Sequence, residues 1–115
     1  MVTFEMVRRL ALALPETTEG TSYGTPAFRV RGKFLARLRE EGILVVKVGN
    51  DAPDALIQMQ PETYFITPHY AGSSAVLVRL ALIAEDELRD LLADAWRSNA
   101  PKRLVATASL QAEAP

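Results

Sequence analysis

Residues 24–48 read GTPAFRVRGKFLARLREEGILVVKV, and this stretch decides the fold. Arg29, Arg31, Lys33, Arg37 and Arg39 fall on odd positions, while Phe28, Val30, Phe34, Ala36 and Leu38 fall on even ones. A repeat of two is that of an extended strand whose side chains meet core and exterior in turn. The pattern predicts strands at about Ala27–Arg31, Phe34–Arg39 and Ile43–Val48, broken at Gly32 and Gly42. The same alternation constrains register. Three-residue loops at Arg31-Gly32-Lys33 and Glu40-Glu41-Gly42 set Phe28 opposite Ala36, Arg29 opposite Leu35, Leu38 opposite Leu44 and Ala36 opposite Val46. Each glycine then takes the left-handed position of a bulged turn. The outward face carries Arg29, Arg37, Arg39 and Lys47 around an apolar centre of Leu35, Ile43 and Val45. Such a centre calls for a cover: a helix, a partner or a ligand.

Outward from this core, Thr3 fits the N-cap of a first helix with Phe4, Val7, Leu10, Ala11 and Leu14 on one face, stopped by Pro15. Glu5 stands one turn before Arg8 and Arg9. Residues 16–24 read as a loop or a short edge strand. Asn50 or Asp51 begins a short helix with Leu56 and Ile57, closed by Pro61. Tyr64–Ile66 and Ala75–Ile83 read as two further strands. A helix from Glu85 to about Ser98 has Glu85, Asp86 and Glu87 at its positive end, Arg97 at its negative end, and a stripe of Leu88, Leu91, Leu92, Ala95 and Trp96. Pro101 opens a last helix to about Leu110, and residues 111–115 read as a frayed tail. The 115 residues are expected to form one α+β domain, an antiparallel sheet with N-terminal and C-terminal helices packed on it.

Charge is distributed unevenly. Between Gly24 and Asn50, six cations meet two carboxylates, a local charge of +4 in a chain whose net charge is −1. A basic sheet on an acidic body points to an anionic partner. Composition narrows the alternatives. With no cysteine there is no disulfide and no thiolate metal site, and with one histidine there is no multi-histidine centre. No metal or cofactor is expected. The longest apolar runs fall well short of the roughly 20 residues that span a bilayer, so no membrane association is expected. The N-terminus shows no signal-peptide pattern, which makes the cytoplasm the expected location.

Arg29, Arg31, Lys33, Arg37, Arg39 and Lys47 fit two uses: solvated decoration that discourages edge pairing, or a phosphate-binding surface for nucleic acid. Lys102 and Arg103 oppose the dipole of the helix they begin, so they form an anion site or pair with Asp90 or Asp94. His69, between Pro68 and Tyr70, is the one side chain with an ordinary pKa near neutrality. No serine in a nucleophile elbow and no orienting carboxylate accompanies it, so it reads as a loop residue that bonds backbone or phosphate, and no catalytic residue is expected. Tyr23, Phe28, Tyr64 and Tyr70 are able to stack on bases, although core packing suits most of them.

Tyr23-Gly24-Thr25-Pro26-Ala27-Phe28 and Arg31-Gly32-Lys33-Phe34-Leu35-Ala36-Arg37-Leu38 resemble the MmcQ/YjbR family. So do Ile66-Thr67-Pro68-His69-Tyr70, Val76-Leu77-Val78-Arg79-Leu80 and Ala100-Pro101-Lys102-Arg103-Leu104. The resemblance runs from Thr3 to about Leu104. It implies an α+β fold of double-wing type and, by analogy from that architecture, DNA binding. One departure is Gly72-Ser73-Ser74-Ala75, where the family often carries a tryptophan. The expected function is weak, salt-sensitive and largely non-specific nucleic-acid binding through phosphates. The alternative is a module for a small anionic molecule or a protein partner, resting on the apolar centre of the basic face.

Overall fold

The computed structural model describes residues 2–49 and 51–113. Its centre is a six-stranded antiparallel sheet of β1 (Thr17–Ser22), β2 (Thr25–Val30), β3 (Lys33–Glu40), β4 (Ile43–Lys47), β5 (Tyr64–Phe65) and β6 (Ala75–Arg79). Their spatial order is β1-β2-β3-β4-β6-β5. The helices are α1 (Phe4–Leu12), α2 (Ala52–Met59), α3 (Glu85–Asn99) and α4 (Lys102–Glu113), and a single 3-10 turn covers Pro68–Tyr70. This is the α+β architecture implied by the alternation of residues 24–48.

Three of the expected strand pairings hold: Phe28 faces Ala36, Leu38 faces Leu44 and Ala36 faces Val46. The loops between them differ from expectation. The β2–β3 connection is the two-residue turn Arg31-Gly32, with φ of 48° and 82°. Two successive left-handed residues make the primed turn whose twist matches that of a hairpin. Arg29 therefore faces Phe34 rather than Leu35, and a bulge at Leu35 restores the register beyond. The second connection is Glu41-Gly42, with a bulge at Arg39. The first bulge turns Leu35 away from the outer face and into the main core, where it is fully buried.

That main core lies on one side of the sheet. Phe28, Val30, Leu35, Ala36, Leu44, Val46, Val76 and Val78 meet Val7, Leu10 and Ala11 of α1, the expected Leu88–Trp96 stripe of α3, and Leu104 of α4. Leu56 and Ile57 of α2 pack on its margin. Sequence explains the placement of the helices. The Met6 N–H donates to Thr3 Oγ1 at 3.3 Å, capping α1, while Pro53 occupies the first turn of α2. Asp51 precedes α2 without a side-chain cap bond, and Asn50 lies outside the described residues. Buried Asn99, at the end of α3, donates to the Lys47 carbonyl at 2.8 Å and fastens that helix to β4. Trp96 Nε1 donates to the Pro15 carbonyl at 2.9 Å. Burial, reinforced by the Glu87 carboxylate that accepts its hydrogen bond, holds the Tyr64 phenol above its ordinary pKa.

Three boundaries moved the furthest. Residues 17–22 form a full edge strand, because each pairs with β2 from Thr17–Val30 to Ser22–Thr25. The last strand stops at Arg79 rather than running to Ile83. Helix α4 continues to Glu113, past the expected end at Leu110, and residues 114–115 of the expected tail lie outside the described residues.

Candidate nucleic-acid interface

Among the described residues, no α-helix contributes to the core on the other side of the sheet. Its small apolar cluster is Val45, Ala75 and Leu77, bordered by Phe34, Ile43, Phe65 and Tyr70. Val45 is 1% exposed and Leu77 0%, so the apolar centre expected here is already covered by the chain itself. The cover is the Pro68–Tyr70 turn and the aromatic rim, with Phe34 in the place expected for Leu35.

Around this cluster stand cations. Alternation along β2, β3, β4 and β6 brings Arg29, Arg37, Lys47 and Arg79 to the same face as Phe34, Val45 and Leu77. Each arginine is held by neutral groups. The Arg29 guanidinium donates to the Thr21 carbonyl at 3.5 Å. Arg37 donates to Thr25 Oγ1 at 3.3 Å and to the Tyr70 hydroxyl at 3.0 Å, and lies 5.2 Å from the centre of the Tyr23 ring. Arg79 donates to the Glu62 carbonyl at 2.9 Å and sits 4.1 Å from the centre of the Phe65 ring. His69 is exposed and meets Tyr70 edge-to-face at 4.9 Å.

Elsewhere most arginines are neutralised. Arg8 pairs with Glu5 and Glu19, Arg9 with Glu85, Arg89 with Glu85 and Arg97 with Asp94. Glu19, followed by Glu5, holds Arg8 above its already high ordinary pKa. Among the described residues, Arg29, Arg37, Arg79, Arg103 and the three lysines make no ion pair. A guanidinium fixed by hydroxyls, carbonyls and rings keeps both its full charge and free N–H donors, which is the state in which it binds phosphate.

The six strand and turn cations singled out from sequence thus divide. Arg29, Arg37 and Lys47 share the open face. Arg31 forms a two-bonded pair with Glu16, at 2.8 and 2.7 Å, which lowers the Glu16 pKa. Arg39 pairs with Glu40 at 2.7 Å on the rim. Lys33 joins Lys47 in a cleft of about 500 Å³ at the end of the sheet, lined also by Phe34, Ser74, Ser98 and Asn99. Lys102 and Arg103 are exposed at the start of α4, in the helix layer, and the pairing with Asp90 or Asp94 is not formed, since Asp94 holds Arg97. Arg79 was not among the residues expected to form the site. Its signal is the alternation of β6, in which Ala75, Leu77 and Arg79 share one face. Of the four aromatic residues with stacking potential, Phe28 and Tyr64 belong to the core, while Tyr23 and Tyr70 face outward beside Arg37.

The YjbR family model matches residues 12–98. Two similar proteins are "Uncharacterized protein Rv2570" of Mycobacterium tuberculosis and "Uncharacterized protein Mb2600" of Mycobacterium bovis. Each is 35% identical over 124 aligned residues, covering 91% of this chain and 94% of the relative. No solved structure matches the chain.

Proposed function

This chain belongs to the YjbR family, and we propose that it is a binding protein rather than an enzyme, holding nucleic acid across the open face of its sheet. Arg29, Arg37 and Arg79 contact phosphates, with Lys47 and His69 at the margin. The observation that carries this reading is the sorting of partners. In the helix layer Arg8, Arg9, Arg89 and Arg97 have carboxylates and Arg103 alone among its described arginines does not, while the three on the open face have only neutral partners. Phosphate contacts position a strand without reading its sequence, so the binding is weak, salt-sensitive and largely non-specific. It takes place in the cytoplasm.

The test is fluorescence anisotropy of a labelled oligonucleotide across a salt series, with wild type and the Arg29→Ala/Arg79→Ala variant. Wild-type affinity should fall steeply with salt. The variant should bind at least about tenfold more weakly at low salt, with a slope reduced by roughly 0.7 per lost contact. A variant that binds as tightly as wild type, with the same slope, removes this face as the site.

A second reading has its own observation. The cleft holding Lys33 and Lys47 presents the hydroxyls of Ser74 and Ser98, and among the described residues no carboxylate lines it. It suits a small phosphorylated molecule. Protection of Lys33 and Lys47 from amine acylation by inorganic phosphate or a nucleotide would favour it, and unchanged reactivity would set it aside.

A further inference from the structure

The turn between β1 and β2 holds the most exposed aromatic side chain noted on the surface. Tyr23 is 88% exposed and has φ of 53°, followed by Gly24 at 79°. Ser22 pairs with Thr25, so Tyr23-Gly24 is a two-residue primed turn. Its first position favours asparagine, aspartate or glycine, because a bulky side chain there crowds the backbone. An aromatic residue in this position carries a conformational cost and leaves its ring area in water. Within the chain, its contact with the Arg37 guanidinium, 5.2 Å from the ring centre, offsets part of that cost.

The arrangement beneath the ring is ordered. Arg37 is fixed from two further directions by Thr25 and the Tyr70 hydroxyl, and His69 braces Tyr70 edge-on. One face of the Tyr23 ring is thereby turned to a cation and the other to solvent. An electron-rich ring with one open face, beside a phosphate-competent arginine, has the composition of a base-stacking platform. Such a platform needs an unpaired base, since bases within a duplex already stack on one another.

We propose that Tyr23 stacks on an unpaired nucleobase while Arg37 holds the adjoining phosphate, so that this protein selects single-stranded over duplex nucleic acid. This inference rests on the nucleic-acid reading above and adds the form of the strand. The test uses three probes of equal length in anisotropy titrations: a labelled single strand, the same strand with a central run of abasic sites, and the corresponding duplex. The abasic strand keeps its phosphates and loses the stacking partners. Wild type should bind the intact strand about tenfold more tightly than either other probe. Tyr23→Ala should lower affinity for the intact strand to the abasic level and leave the salt slope unchanged, while Tyr23→Trp should retain the preference. Equal binding of intact and abasic strands by wild type overturns the stacking site, as does duplex binding as tight as single-strand binding. Either outcome leaves the phosphate reading standing. Binding of none of the three probes overturns both.

Discussion

The two faces of one sheet use the same residue types to opposite ends. On the helix side, aromatic and aliphatic side chains are packed out of reach of water, and four arginines of the surrounding layer, Arg8, Arg9, Arg89 and Arg97, end on carboxylates, leaving Arg103 as the exception. On the open side, a small apolar cluster is closed by one short turn, and arginines end on hydroxyls, carbonyls and rings. The first arrangement stabilises the chain; the second keeps charge available at its surface. Electrostatic pairing inside the molecule and attraction to an outside anion compete for the same guanidinium groups. What differs between the faces is which of these has been left unfilled.

The comparison can be broken most forcefully in the main core. Phe28→Ala removes a fully buried ring and should cost about 3–5 kcal/mol in urea unfolding, with oligonucleotide affinity of the folded protein unchanged. Weaker binding without lost stability would mean that the helix side contributes to recognition. Leu77→Ala should cost less, about 2–3 kcal/mol, because its cluster is small and its cover is a single turn. Unlike Phe28→Ala it should also weaken binding, since Tyr70 and with it Arg37 lose their support. Next comes Arg89→Ala together with Arg97→Ala. Both ion pairs are exposed, so stability should change by less than about 0.5 kcal/mol and affinity by less than twofold. A loss as large as that of the open-face double variant would erase the distinction between the faces.

The smallest effect concerns the Arg31–Glu16 pair. Arg31 holds the Glu16 carboxyl below its ordinary range, so the pair's contribution is fully present above the unfolded value of about 4.3. It is lost as pH falls through the lower folded value. Glu16→Gln should therefore slightly flatten the acid limb of a stability–pH profile and leave the neutral region and oligonucleotide binding almost unchanged.

Much of this arrangement was legible in the residues. The alternation through Phe28–Leu38, the glycines at 32 and 42 and the apolar stripe of α3 led to the sheet, three of the four register pairs and the helix that covers it. Motifs such as Tyr23–Phe28 and Ile66–Tyr70 pointed to the family. What escaped depended on geometry finer than a repeat of two. A primed turn at Arg31-Gly32 shortens the loop by one residue, and the bulge that compensates sends Leu35 inward. Arg31 finds Glu16 across the sheet edge, fifteen residues earlier, because β1 pairs along its whole length with β2. No local pattern marks that pair. Arg79 closes a strand that reads as nearly continuous apolar sequence, so the alternation that sets its side is masked until β6 is paired with β4.

If the proposed reading holds, the open face, and not the helix layer, meets the nucleic acid. This is tested most directly by following the arginine Nε–Hε signals of isotope-labelled protein by NMR while a short single-stranded oligonucleotide is added. The signals of Arg29, Arg37 and Arg79 should shift together and saturably, while those of Arg8, Arg9, Arg89 and Arg97 stay in place. Shifts confined to the helix-layer arginines, or spread evenly over both sets, would contradict that reading.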